Sequence, residues 1–454
     1  MSGEANFSRE MVIPKQRRGI RFLFDVRRDP LGYFHELATR EGAYAWIGLR
    51  GQPLLMLNDA AGIEHVLQGN PGNYWKGNVN KVLAPLLADG IFLSEGAQWR
   101  RQRQETAPGF TTPRLIEMTD IMLATIEEML DGWEVRAKAS EAIDLCAEMT
   151  RLTLDMFLRA LFHVQAGEVA RDLRYSLGVL LREAEGRIWS PLSWPQKWVL
   201  ALPKYRKAMR KLHDTVARLI AERQRDGAHP EDLLSRLMAS YGPSAEEQRM
   251  LRQQILSFML SGHETTAHGL TWSLFRLAGM PELQERLREE AARVLDADGS
   301  AFELVRSLVT SQNVFNEALR LHPPVWTFSR EALAPDRIPL DDGSFVDLPA
   351  RGIVMCCTYA VHRREKYWPD PERFDPGRFL PEQSEGRPRS AWFPFGGGPR
   401  LCLGQRFATM ESSLTLSMIL RRFTFELVPG QNIAPEPIIT LRPNGPVKVM
   451  MRRR

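Results

Sequence analysis

The sequence predicts a mainly α-helical protein with a small β-rich region, on three observations. A capping signal, Ser244-Ala-Glu-Glu247, opens a stretch free of proline from Ala245 to Gly279, and Pro281 closes it. The run from Leu403 to Leu420, directly after Cys402, reads as a second helix. Strand-like character is confined to Leu54-Leu-Met-Leu57 and to the segment around Ile338 to Cys357.

The 454 residues are 44% hydrophobic and 25% charged, the composition of an ordinary globular protein. Length alone suggests two or three domains. The motifs run from Trp99 to Gly404, however, and so favour one domain over residues 31–454 behind a basic arm over 1–30. The arm sets Lys15, Arg17, Arg18, Arg21, Arg27 and Arg28 around Ile20, Phe22, Leu23 and Phe24. Such a segment is either a solvated arm or a peripheral contact with an anionic membrane. No apolar run is long enough to be a transmembrane segment, and no signal peptide is visible. The four cysteines (Cys146, Cys356, Cys357 and Cys402) lack zinc-ligand spacing and suit a reducing compartment, so a soluble, cytoplasmic protein is expected. Net charge is +5, but the arginines are spread along the chain without a nucleic-acid-binding motif, and no nucleic-acid partner is expected.

Taken in chain order, Trp99-Arg-Arg-Gln-Arg103 places Trp99 and Arg103 on one helical face. In the central stretch, Leu251, Ile255, Phe258 and Met259 recur at helical spacing, so this element crosses the core. As one unbroken helix it would span roughly 50 Å. Its middle, Ser261-Gly-His-Glu264-Thr265-Thr266, is weak in helix propensity. Thr265 can bond the Ser261 carbonyl and bend the helix. Gly262 would leave room for a small ligand, and Glu264 would set a carboxyl beside it; a solvent-facing Glu-Thr-Thr is the other reading. Glu317-Ala-Leu-Arg320 precedes Leu321-His-Pro-Pro324, which must end its helix. Last comes Phe395-Gly-Gly-Gly-Pro-Arg400-Leu-Cys402-Leu-Gly404. Gly396, Gly397 and Gly398 are expected to take positive φ and approach a flat ligand. Cys402 at a helix start would be held as thiolate by free N–H groups and the dipole. A buried structural cysteine beside a glycine turn is the alternative.

The Cys402 loop closely resembles the haem-binding signature of the cytochrome P450 family. The Ser261–Thr266 segment is similar to that family's oxygen-activation motif, with Ser261 replacing the usual small first residue. Glu317/Arg320 and the stretch Trp368-Pro-Asp-Pro-Glu-Arg-Phe374-Asp-Pro376-Gly-Arg378-Phe379 resemble its E-x-x-R and meander. The resemblance covers most of the chain from Trp99 to Glu411 and is weak before that. It implies the cytochrome P450 fold, with a long central helix over the haem and the cysteine loop on the opposite face. It implies haem b with Cys402 as iron ligand, and Trp99, Arg103, Arg330, Arg400, Phe395, Gly404 and Gly262 in the cofactor site. Glu264 and Thr265 would be the acid–alcohol pair, and Glu317, Arg320 and Arg378 a buried triad.

The implied reaction inserts one oxygen atom of O2 into a C–H or C=C bond of a lipophilic small molecule. Candidate substrate contacts are Ile91, Phe92, Phe258, Val325, Trp326 and Phe328; their apolar character leaves fatty acid, terpene, steroid and polyketide open. No flavin or iron–sulfur segment is recognisable, so electrons are expected from a ferredoxin or flavodoxin with its reductase, docking near Arg100, Arg101 and Arg406. A peroxide-driven or redox-neutral haem-thiolate enzyme is the alternative, and a non-catalytic haem sensor or carrier is the third reading.

Overall fold

The computed structural model describes residues 20–49, 52–77, 83–87, 90–188, 202–226 and 232–454. It is mainly helical, as expected, with small sheets. The largest sheet orders the strands Tyr44–Leu49, Gln52–Leu57, Ile353–Cys356, Phe328–Ala332 and Tyr74–Trp75. Gln52–Leu57 and Ile353–Cys356 run parallel, and the other neighbours are antiparallel. The two segments read as strand-like are therefore partners across some 300 residues of chain. A hairpin of Asp336–Pro339 and Phe345–Leu348 completes the expected β region.

Of the arm expected over residues 1–30, the first nineteen residues lie outside the described ones, Lys15, Arg17 and Arg18 among them. Ile20–Arg28 is a helix. Val26 is buried with Leu31, Phe34 and Trp326, so apolar packing begins ahead of residue 31.

The central stretch is two helices, Ala245–Ser261 and Glu264–Ala278, rather than one. The break has a local cause. The Thr265 hydroxyl donates to the Ser261 carbonyl at 3.1 Å, and the Ser261 hydroxyl donates to Ser257 O at 2.6 Å. The His263 ring bonds Met259 O at 2.8 Å. Side chains thus occupy the carbonyls that a continuous helix would use. Ser244 caps the first half as the sequence predicts, accepting from Glu247 N at 3.3 Å. The second half packs on the helices Leu145–Phe162, Val309–Leu321 and Gln405–Arg422, the last of which follows the cysteine loop.

Glu317 and Arg320 are fully buried and form a two-bond pair of 2.7 and 2.8 Å. Arg320 also donates to the carbonyls of His362, Pro371 and Arg373 at 2.7–3.1 Å. Glu317 accepts from Asp375 N at 2.8 Å, and Arg378 Nε stands 3.4 Å away. The expected triad is thus assembled, and Gly377 does not prevent it. Glu317→Ala would leave Arg320 buried without its counter-charge. It is expected to cost about 3–5 kcal/mol of stability, read as a lower denaturant midpoint.

Candidate functional site

The cysteine loop is a tight turn closed on itself. Cys402 N donates to Phe395 O at 3.0 Å, and Leu401 N to Gly398 O at 3.0 Å. Gly396 and Gly398 take positive φ, 73° and 61°. Gly397 is instead extended, at φ −162°, a correction to the expectation for all three glycines. At Gly398 the close approach is to protein: a Cβ there would lie 1.8 Å from the Leu67 carbonyl oxygen. The loop also hangs from the triad, because His362, whose carbonyl accepts from Arg320, accepts the Phe393 N–H on its ring at 3.0 Å.

Cys402 lies two residues before Gly404, which caps the helix Gln405–Arg422. Cys402 is exposed as a residue, yet enough protein surrounds its thiol that burial pushes the pKa up. The backbone N–H groups of Gly404 and Gln405, and the Arg103 guanidinium, pull the other way. The expectation of a thiol pKa lowered by the free N–H groups and the helix dipole is thus corrected: burial outweighs them. A metal cation on the sulfur would tip the balance, since a coordinating thiol is deprotonated outright.

Around the loop the chain gathers cations from four segments. Arg103, on the helix Gly96–Thr106, donates to Leu401 O at 2.8 Å. Arg400 pairs with Glu95, donates to Ser94 O at 2.9 Å and lies 4.0 Å from the Trp99 ring. Trp99 thus presents its π face to Arg400. Arg330 lies 5.0 Å over Phe328 and donates to Ser329 O at 2.8 Å. The fourth cation, Lys76, was not singled out from the sequence. Its Nζ donates to Phe92 O and lies 4.6 Å over the Phe92 ring. Burial, helped by Arg330 and Arg400, holds its pKa down at about 7. Burial also lowers Arg103 and Arg330, and brings Arg400 to about 10. Glu95 is the carboxylate that acts on Lys76, Arg330 and Arg400. Clustered buried cations with one acid between them suit a ligand carrying further carboxylates. Two propionates beside a cysteine sulfur fit that donor set.

On the central helix, Glu264 and Thr265 sit at the start of the second half, with the Thr265 hydroxyl turned to Ser261 as predicted. Burial pushes the Glu264 pKa up to about 7, against the pull of Arg442 and Thr440. Glu264 lines a cleft of about 320 Å³ with Arg174, His263, His268, Glu436 and Arg442. This cleft includes neither Thr265 nor Cys402 in its lining. Gly262 does not make room for a ligand. A Cβ on it would lie 2.5 Å from the Phe157 ring, so the glycine lets the helix Leu145–Phe162 pack close. Among the substrate candidates, Phe258 and Trp326 are core residues: Phe258 stacks with Phe110 at 6.3 Å, and Trp326 donates to Ile438 O at 2.9 Å. Ile91, Phe92, Val325 and Phe328 keep accessible surface.

The sequence model of the family described as Cytochrome P450 matches residues 15–451. The chain belongs to the cytochrome P450 family. Cyclooctatin synthase of Streptomyces melanosporofaciens is 31% identical over 82% of the chain and 81% of that protein. Cyclooctat-9-en-7-ol 5-monooxygenase of the same organism is 31% identical over 80% and 78%. A protein named putative cytochrome P450 132, of Mycobacterium tuberculosis, is 30% identical over 86% of each. This P450 is accordingly a monooxygenase that binds haem b through a cysteine thiolate. Among its described residues no helix is long and apolar enough to cross a membrane.

If Lys76 helps hold the cofactor carboxylates, Lys76→Met should speed haem loss to an acceptor protein roughly tenfold, the scale of one charge-assisted hydrogen bond. Lys76→Arg should preserve much of the hold.

Proposed function

We propose that Cys402 is the thiolate ligand of the haem and that Glu264 and Thr265 deliver protons for oxygen activation on a lipophilic substrate. One observation carries this reading: a cysteine faced by the N–H groups of Gly404 and Gln405 and by Arg103, which itself belongs to a cluster with Arg400, Arg330 and Lys76. When bound, the haem supplies the iron at which dioxygen is reduced and one oxygen atom is inserted into the substrate. Arg103, Arg330, Arg400 and Lys76 would hold its propionates, with Trp99 backing Arg400. Phe395 accepts the Cys402 N–H and sets the sulfur; Gly404 keeps the helix start close to it, 4.0 Å from a Cβ position to Sγ.

The break at Gly262–His263 frees the Thr265 hydroxyl to exchange its carbonyl partner for a ligand nearby. Glu264, with a pKa near neutrality, can both carry and release a proton there. Its cleft, with Arg174 and Arg442, supplies a polar approach for water.

The accessible apolar side chains Ile91, Phe92, Val325 and Phe328 support a lipophilic substrate. The relative named cyclooctat-9-en-7-ol 5-monooxygenase supports including unsaturated hydrophobic alcohols among the candidates. Electrons come from a separate ferredoxin or flavodoxin with its reductase. Arg100 and Arg406 are exposed for such a partner, whereas Arg101 is committed to Glu105 at 2.7 Å and to the Tyr241 ring. The four free cysteines suit a reducing, cytoplasmic setting.

An optical titration against lipophilic compounds tests the reading, with carbon monoxide added to the reduced protein. A thiolate-type band, and a low-spin to high-spin shift with a bound compound, are expected. A haem-loaded protein without that band, or one unchanged by Cys402→Ala, would overturn the assignment of Cys402. Thr265→Ala should leave that band intact and divert electrons to peroxide. The protonated, donating form of Glu264 is lost as pH rises through about 7. Coupling of electrons to product should therefore fall across that range, and Glu264→Gln should flatten the dependence.

A further inference from the structure

The residues His65–Gly69 form a single π-helical turn, closed by Asn70 N donating to His65 O at 2.8 Å. Such turns are rare and recur at functional sites. This one leans on the cysteine loop: its Leu67 carbonyl fills the position of a Gly398 Cβ, and the Leu67 side chain lies 3.3 Å from where a Gly397 Cβ would be. Leu67 is buried at 5% exposure, so the contact is confined on both sides.

Both ends of the turn are tied to one atom. Oδ2 of Asp336, on the strand Asp336–Pro339, accepts from His65 Nε2 at 2.9 Å, Asn70 Nδ2 at 3.1 Å and Tyr74 Oη at 2.6 Å. His65 begins the turn, Asn70 follows its last residue, and Tyr74 opens the strand Tyr74–Trp75. The second oxygen, Oδ1, accepts from Arg337 N at 2.9 Å. The carboxylate is nearly enclosed, at 11% side-chain exposure, which makes each of these charge-assisted bonds count.

We infer that Asp336 is a positioning residue for the cysteine loop, clamping the π-helical turn so that the Leu67 carbonyl seats Gly398 and, through Gly398, Cys402. The inference rests on the reading of Cys402 as the thiolate ligand. A π turn left without its clamp can relax toward an α-helical one, which would re-aim the Leu67 carbonyl and remove the stop against which Gly398 sits. The loop would then hold the sulfur in more than one position, and the thiolate–iron bond would be the property affected. Simple stabilisation of the sheet would leave that bond unchanged.

The test uses haem-loaded full-length protein, reduced under carbon monoxide. Asp336→Ala is expected to lower the ratio of thiolate-ligated to other haem species roughly tenfold, the scale of one or two charge-assisted bonds. Tyr74→Phe should move the ratio less and in the same direction, and carries the test alone if Asp336→Ala takes up no haem. The double variant should lose no more than Asp336→Ala, because both act through one carboxylate. Arg223→Gln, in the separate buried network of Arg223, Asp232 and Ser235, serves as a destabilised control and should keep the wild-type ratio. Variants at Asp336 and Tyr74 that lower the unfolding midpoint yet keep the wild-type ratio would overturn the inference, as would losses that simply add in the double variant. Absence of the thiolate-type band from the wild type would instead overturn the reading of Cys402.

Discussion

The buried pair of Glu317 and Arg320 is the constraint on which the cysteine side of this protein depends. Taking both ions out of water is expensive, and the attraction between them repays it only when every remaining donor and acceptor is engaged. Here the guanidinium reaches the carboxylate and three backbone carbonyls, and the carboxylate takes a backbone N–H and faces Arg378. Those acceptors all lie between His362 and Arg373, in irregular chain with little ladder bonding of its own. The pair therefore gives a long loop region one conformation. His362 passes that order on to Phe393, at the entry to the cysteine loop.

The loop is held from its other side by the π-helical turn and by Arg103, which bonds the carbonyl immediately before Cys402. A cysteine so fixed would lose little entropy on binding a metal, in keeping with the general need to preorganise a site through its surroundings. The electrostatics run in the same direction. Burial disfavours both the thiolate and the clustered cations, and a haem iron with two propionates would answer both penalties together. The central helix adds a different device. Its hydroxyl and imidazole groups take backbone carbonyls and open the helix where Glu264 and Thr265 stand.

Much of this was legible in the sequence because it is local. Cys402, Phe395, Gly398 and Gly404 lie within one turn, and their spacing alone describes a closed loop before a helix. Glu317 and Arg320 are one helical turn apart, and the break near Thr265 follows from side chains competing with the backbone four residues away. Other features were not legible. Lys76 sits at the end of a two-residue strand with no periodic pattern around it, and its surroundings come from Phe92, Glu95, Arg330 and Arg400. Gly262 looked like space for a ligand, but which residue fills that space depends on how the helix Leu145–Phe162 packs. Phe258 and Trp326 are apolar whether they line a pocket or fill the core, so composition could not separate them.

The sequence by itself determined the helical class, the cysteine loop, the bond from Thr265 back to Ser261 and the pairing of Glu317 with Arg320. Each is written in residues a few positions apart, whose backbone and side-chain reach set the outcome. Only the tertiary structure decided that Lys76 joins Arg330 and Arg400, which glycines make room and for what, and that one aspartate at position 336 gathers His65, Asn70 and Tyr74. These are contacts across hundreds of residues, set by the packing of whole elements, and a chain of side-chain identities does not carry them.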